Sequence, residues 1–138
     1  MMKPQVIFQP QRVYVAASYM SPVGKFNGKH RDDLTYFALA EQVGQIFDQS
    51  PVRRQDIEAV VVGSQNPFAF NHLDNVAAKI TGLLGISGAK SVLIDTASSS
   101  GASAFENAYL EIASGRYEHV LAIGIQKMTD VSTDDATQ

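Results

Sequence analysis

Apolar residues follow one another in four short runs rich in β-branched side chains, and turn residues or polar stretches bound each run. Such runs are typical of strands. The run at residues 57–63 is apolar enough to predict a strand buried on both faces. The four predicted strands cover residues 12–17, 57–63, 90–95 and 120–125.

Between these runs, apolar residues recur at steps of three and four, which predicts helices with one buried face. The predicted helices cover residues 36–47, 76–84 and 101–114. Asp32 or Asp33 can cap the first helix, and Gly85 and Gly115 suit the ends of the other two. Alanine on several faces of the last helix predicts burial between other elements. Residues 64–70 are predicted to be a loop, and the tail after Thr129 to be irregular.

Strands and helices therefore alternate, which predicts an α/β fold in a βαβαβαβ order. The expected architecture is a mostly parallel sheet with helices on both faces, joined by right-handed crossovers. Ligands of such sheets bind at the carboxyl ends of the strands. The third predicted strand ends at Asp95, directly before Thr96, Ala97 and three serines, Ser98 to Ser100. This junction is the predicted place for chemistry.

Composition narrows the possible partners. The 138 residues carry a net charge of -3, with both signs interspersed. There is no basic strip, so nucleic-acid binding is not predicted. No apolar stretch reaches the length of a membrane span, and the start lacks the apolar core of a signal peptide. A cytoplasmic location is therefore expected. The absence of cysteine excludes disulfides and thiolate metal ligands, and no metal site is predicted. Gly24-Lys25 alone does not make a phosphate-binding loop.

The serine cluster has two interpretations from local chemistry alone. A residue between a strand and a helix meets unpaired backbone N–H groups and the positive end of the helix dipole. A cysteine there would gain a more stable thiolate and become a nucleophile, whereas a serine hydroxyl would need a dedicated base. Serine is also a favoured helix cap, so three in a row before Gly101 could serve capping and turn formation only.

Several segments, in the right order, resemble the start of the thiolase superfamily, particularly the thiolases related to sterol carrier protein. The similar segments are Val13-Tyr14-Val15-Ala16-Ala17, Ser21-Pro22-Val23-Gly24-Lys25-Phe26, Ile57 to Gly63, Thr96-Ala97-Ser98-Ser99-Ser100-Gly101-Ala102-Ser103-Ala104-Phe105, Ala113-Ser114-Gly115-Arg116-Tyr117-Glu118-His119-Val120-Leu121 and Gly124-Ile125-Gln126-Lys127-Met128-Thr129-Asp130. Their order and spacing over residues 12–129 make the resemblance specific.

The resemblance implies the N-terminal half of a thiolase fold at residues 12–129, with an extension at 1–11 and an irregular tail at 130–138. It implies an acyltransferase that uses coenzyme A thioesters as substrates, in Claisen condensation or thiolytic cleavage, with no covalently bound cofactor. Ser98 takes the position of the family's nucleophilic cysteine, and Gln126 that of a usual acidic residue. The family's second half, with its catalytic histidine and second cysteine, has no counterpart here. Cofactor-binding residues are therefore not assigned.

The resemblance also bears on partners. A half-sheet of this type exposes apolar surface, with the helix after Ser100 most in need of cover. We therefore expect self-association or pairing with a complementary C-terminal half or partner subunit.

Two other functions fit parts of the sequence. A non-catalytic, or differently catalytic, thiolase-like subunit could work in a complex. A serine hydrolase could use Ser99, because residues 97–101 resemble a nucleophile elbow with alanine for its first glycine. A hydrolase needs a histidine after the serine, and His119 is the one that follows. His119 is predicted at the opposite end of the sheet and His30 in a solvated loop. His72 is predicted at a helix start, with a capping or surface role.

Overall fold

The computed structural model describes residues 9–22, 35–132 and 134. Within them, a parallel sheet is formed by β1 (Ala59–Gly63), β2 (Lys90–Ile94) and β3 (Val120–Gly124), in the order β2-β1-β3. The register pairs Gly63 with Ile94 on one side and with Gly124 on the other, so all three strands end level. The predicted α/β class is confirmed, and the strands fall inside the predicted runs.

Helices cover both faces of the sheet, as predicted. Helices α1 (Tyr36–Val43) and α3 (Val76–Leu83) pack on one face, while α4 (Ser100–Ala113) packs on the other. Because side chains alternate along a strand, Val60 and Val62 point toward α1 and α3, and Val61 points toward α4. The central strand β1 is therefore buried along its whole length, as its continuous apolar run predicts.

The two faces differ in how their helices pack. On one face, Ile80 of α3 is fully buried within the larger core cluster, which also holds Tyr36 and Ala40 of α1. On the other face, Ala104 and Ala108 let α4 approach Val61 closely. The outer side of α4 carries exposed large apolar side chains at Phe105, Tyr109 and Leu110. Its alanine-rich stripe is thus buried, and the rest of the helix surface is largely uncovered.

The predicted first strand, residues 12–17, is wrong: this segment forms no strand. Gln11 donates its N–H to the Ala113 carbonyl at 2.9 Å, which attaches the segment to the end of α4. A cavity of about 320 Å³ then separates residues 13–19 from the outer edge of β3. Without a neighbouring backbone the segment has no ladder hydrogen bonds, and Tyr14 and Val15 stay exposed.

The predicted loop at residues 64–70 is also partly wrong, because it contains a short helix, α2 (Pro67–Asn71). Asn66 caps this helix through its side chain, which accepts from the Ala69 N–H, and Pro67 fits its first position.

The first long helix, α1, is capped by Thr35, and it continues beyond Val43 as a 3-10 turn to Asp48. The predicted caps Asp32 and Asp33 lie outside the described residues.

The other predicted helices agree with the structure. Gly85 and Gly115 follow α3 and α4 with φ angles of +69° and +75°, so both supply the left-handed turn that ends a helix. After β3 the chain makes a 3-10 turn at Met128–Asp130 and is irregular at residues 131–132. Nowhere in the described part of the chain is a helix long and apolar enough to span a membrane.

Candidate active site

The three consecutive serines occupy three different environments. Ser100 is buried and pins the turn: its hydroxyl donates to the Ala97 carbonyl at 2.7 Å and accepts from the Thr96 N–H at 3.0 Å. The Ser99 hydroxyl donates to the Thr96 carbonyl at 2.8 Å. Ser98 is exposed, and its hydroxyl makes no hydrogen bond with the described residues. Of the three, Ser98 is the one with a hydroxyl available to a ligand.

Helix capping does not account for the serine cluster. Ser99 occupies the cap position of α4, yet its side chain makes no capping bond, because the hydroxyl points back to Thr96. The Ser99 and Ser100 N–H groups at this end of α4 are also bonded within the turn, to the carbonyls of Thr96 at 3.2 Å and Ala97 at 3.0 Å. The turn-forming interpretation holds for Ser99 and Ser100 and does not extend to Ser98.

The turn before Ser98 has an unusual backbone. Ala97 has a φ of +52°, a left-handed conformation that disfavours residues with a Cβ. Asp95 accepts the Ala97 N–H with one carboxylate oxygen at 3.2 Å and the Asn66 N–H with the other at 2.9 Å. The sharp turn therefore directs Ser98 outward at the carboxyl end of the sheet, where the alternation of strands and helices predicts a site.

Glycines allow α4 to begin directly against the strand ends. A Cβ added at Gly63 would lie 2.2 Å from the Ser100 carbonyl oxygen, which is far inside a normal contact. A Cβ added at Gly124 would lie 3.4 Å from the Gly101 Cα. The end of β1 thus forms a close-fitting base for the turn that carries Ser98.

A chain of polar side chains lies beside this base; it is buried at Tyr36 and Ser64 and exposed at Gln126. The Tyr36 hydroxyl donates to Ser64 at 3.0 Å, and the Ser64 hydroxyl is 3.4 Å from the Gln126 amide oxygen. The same amide oxygen accepts the Gln65 N–H at 2.8 Å. Burial raises the pKa of the Tyr36 phenol, and the hydrogen bond to Ser64 partly offsets that rise. An acidic residue at position 126 would accept these bonds in the same way, so the departure at Gln126 leaves this packing intact.

The described histidines lie away from the serine turn or have other roles. His119 precedes β3, and its N–H donates to the Glu58 side chain at 3.2 Å. A strand of five residues separates it from the end where Ser98 lies, which is about 16 Å. His72 is at the end of α2, in a left-handed conformation, rather than at a helix start as predicted. His30 lies outside the described residues. The position of His119 argues against a hydrolase triad on Ser99.

Sequence reasoning found the position of Ser98 and missed the residues that shape its surroundings. An aspartate two residues before the turn is a signal for such a side-chain-to-backbone bond, which points to Asp95. Nothing in the sequence predicts the close approach at Gly63. Among the described residues, no three His, Asp or Glu side chains are grouped so that they could hold a metal ion.

These features define a class: an α/β half-domain with a sharp strand-to-helix turn that presents a hydroxyl at the carboxyl edge of a parallel sheet. The family model for the thiolase N-terminal domain matches residues 13–138. The chain therefore belongs to the thiolase superfamily, as an N-terminal domain.

Individual relatives agree with this assignment. The chain is 29% identical over 85 residues to an acetyl-CoA acetyltransferase of Methanothermobacter thermautotrophicus, covering 62% of this chain and 22% of that protein. It is 34% identical over 77 residues to an acetyl-CoA acetyltransferase of Methanocaldococcus jannaschii, covering 56% and 20%. A probable acetyl-CoA acyltransferase of Staphylococcus epidermidis is 28% identical over 127 residues, covering 86% and 30%. The chain thus spans less than a third of each relative's length.

Proposed function

We propose that this chain is the nucleophile-bearing half of a thiolase-like acyltransferase acting on acyl-coenzyme A thioesters, with Ser98 at the acyl-carrying position. The observation that carries the proposal is the exposed, unbonded hydroxyl of Ser98 at the sharp turn before α4. The family assignment and the names of the relatives, acetyl-CoA acetyltransferases, support the same substrate class.

The chemistry of this position depends on the identity of the nucleophile. A thiol there would be a few per cent ionised near neutral pH even without help, and the helix end would favour the thiolate. A hydroxyl stays protonated and needs a base. In the described turn at residues 95–101, the one ionisable side chain is Asp95, which is already engaged by two backbone N–H groups. Ser98 by itself is therefore a poor nucleophile in this half-domain.

The proposal predicts that Ser98→Cys strongly raises a low thiolytic activity that the serine form already has. The variant should be made in a chain that also carries the second half-domain, and cleavage of acetoacetyl-CoA should be followed. We expect at least about a hundredfold more turnover than with serine, because the thiolate fraction replaces an almost fully protonated hydroxyl. Ser99→Cys is the matched control, since Ser99 is held by Thr96, and it should not gain activity. Equal, negligible turnover in both variants would refute the proposal.

The second candidate is a thiolase-like subunit that does not catalyse acyl transfer and works in a complex. The observation that favours it is that the Ser98 hydroxyl is a poor nucleophile in its described surroundings, because Asp95 is the one ionisable side chain of the turn and is already engaged. The same assay separates the two candidates: turnover in the protein with serine that disappears in Ser98→Ala supports the acyltransferase. Turnover that appears only in Ser98→Cys supports a non-catalytic domain on a thiolase framework.

We also propose that the chain pairs with a second thiolase-type half-domain through α4. Phe105, Tyr109 and Leu110 are 58%, 46% and 54% exposed, and large exposed apolar surfaces mark interfaces. In sedimentation velocity we expect species heavier than the 14.9 kDa monomer. Leu110→Glu should shift them to monomer, because a buried unpaired charge opposes association. Leu83→Glu, a change at an exposed residue on α3, should not. A soluble monomer at all concentrations would contradict the proposal.

A further inference from the structure

We propose that Asp95 is the positioning residue of the site: by binding the backbone N–H groups of Asn66 and Ala97 together, it holds Ala97 in its left-handed conformation and so directs Ser98 outward. This proposal rests on the proposed function, because it takes Ser98 as the acyl-carrying position. It adds a residue that composition and motif spacing do not single out.

The carboxylate of Asp95 is placed to bind both N–H groups, that of Ala97 and that of Asn66. One carboxylate oxygen lies 3.2 Å from the Ala97 N and the other lies 2.9 Å from the Asn66 N. Hydrogen bonds from backbone N–H groups to an ionised carboxylate are stronger than neutral ones. The first bond favours the bend within the turn, and the second ties that turn to the loop that follows β1.

The left-handed conformation of Ala97 shows why such a support is needed. A residue with a Cβ adopts a positive φ at a free-energy cost, and surrounding contacts must compensate for it. Ala97 is exposed, so packing does not hold it. Its contacts are the N–H bond to Asp95 and the bonds of its carbonyl, which accepts from the Ser100 hydroxyl at 2.7 Å and from the Ser100 N–H at 3.0 Å.

The loop that Asp95 reaches is itself held in place. Asn66 also has a positive φ, of +36°, and it caps α2 through its side chain. Its neighbour Gln65 donates its N–H to the Gln126 amide oxygen at 2.8 Å, next to the end of β3. Asp95 therefore connects the turn at the end of β2 to a loop that is anchored to the other two strand ends. Because that loop is anchored, the Asp95 carboxylate can fix the position of the turn and therefore of Ser98.

The test uses the Ser98→Cys form of the 138-residue chain, which has no other cysteine and so reports on a single thiol. Asp95→Ala, Asp95→Asn and Ala97→Gly are introduced alone, and Asp95→Ala is also combined with Ala97→Gly. Glu106→Gln is the control, because it removes one negative charge from α4 outside the turn. The measurements are amide hydrogen exchange by NMR and the pH dependence of the alkylation rate with iodoacetamide.

In Asp95→Ala we expect exchange of the Ala97 and Asn66 amides to accelerate at least about tenfold, while the β1 amides keep their rates. In Asp95→Asn the midpoint of the alkylation profile should fall by about 0.3–1 pH unit, because a negative charge near the thiolate is removed. Glu106→Gln should leave both measurements unchanged. The exchange rates test whether Asp95 holds the backbone of the turn, and the alkylation midpoint tests whether its carboxylate lies close to position 98.

A second, independent test asks whether Ala97→Gly reduces the loss of stability that Asp95→Ala causes. Glycine adopts a positive φ without the Cβ cost, so Asp95 should matter less when Ala97 is replaced. We expect Asp95→Ala to lower the urea midpoint at most half as much in the Ala97→Gly background as in the alanine background. Equal losses in the two backgrounds, or unchanged exchange at Ala97 and Asn66, would overturn the proposal. None of these readouts needs an acyl-coenzyme A substrate, so they stand even if the proposed activity is absent.

Discussion

Gly63→Ala is expected to destabilise the fold by about 3 kcal/mol or more, and to move the turn that carries Ser98. The added Cβ would lie 2.2 Å from the Ser100 carbonyl oxygen and 2.9 Å from the Gly101 Cα. Both contacts are with backbone atoms, so no side-chain rotamer can relieve them. Either β1 or the first turn of α4 must shift, although β1 is held in register by strands on both sides.

Urea denaturation measures this loss directly. With a denaturant dependence of about 1–3 kcal/mol per molar, the midpoint should fall by about 1–3 M. Gly82→Ala is the matched control, because a Cβ there meets nothing within 4 Å and the residue lies inside α3. Alanine should stabilise that helix by up to about 1 kcal/mol. A Gly63→Ala protein as stable as the native chain would show that α4 does not approach β1 as closely as described.

The same substitution links stability to the site. Ser100 is the residue that pins the Thr96–Ala97 turn, and its carbonyl is the atom that the new methyl group would displace. A shift of Ser100 would loosen the bonds that its hydroxyl makes with the Thr96 N–H and the Ala97 carbonyl. We infer that the close contact at Gly63 and the carboxylate of Asp95 support the turn together, one from the sheet and one from the neighbouring loop.

Elements whose signal is local could be predicted from the sequence. The strand β1 follows from five consecutive small or β-branched apolar residues, and α4 follows from helical periodicity with a glycine at its end. The position of Ser98 then follows from the order of these elements, because parallel strands place their carboxyl ends at one edge. No tertiary contact is needed for any of these steps.

Features that depend on contact with a distant segment of the same chain could not be predicted. Residues 12–17 have a strand-like composition, yet composition does not show whether another backbone lies within hydrogen-bonding distance. Helix α2 has five residues, too few for periodicity, so its Asn66 cap and Pro67 were the signal available. The roles of Asp95 and Gly63 depend on residues 29 and 37 positions away in the sequence. The bond from Ala97 to Asp95 has a local signal. The contacts with Asn66 and Ser100 are set by the sheet topology and leave no local pattern.

The core on the α1 and α3 side of the sheet leads to the other large expected effect. Ile80 of α3 is completely buried, and it belongs to the cluster that also holds Val60 and Val62 of β1. Ile80→Ala should lower the free energy of unfolding by about 2–5 kcal/mol, because it removes buried methyl groups and leaves a cavity. Leu83→Ala, on the same helix, should cost much less, since Leu83 is 41% exposed.

Ile80→Ala also separates global stability from the geometry of the turn, because Ile80 packs on the face of the sheet opposite α4. In the Ser98→Cys background, we expect the urea midpoint to fall while the alkylation rate in buffer without urea stays within about twofold of its parent, as long as the native state remains populated. Asp95→Asn should produce the reverse pattern, a shifted alkylation profile with a smaller stability loss. If Ile80→Ala changed the profile as much as Asp95→Asn does, the turn would be controlled by the core as a whole rather than by the carboxylate beside it.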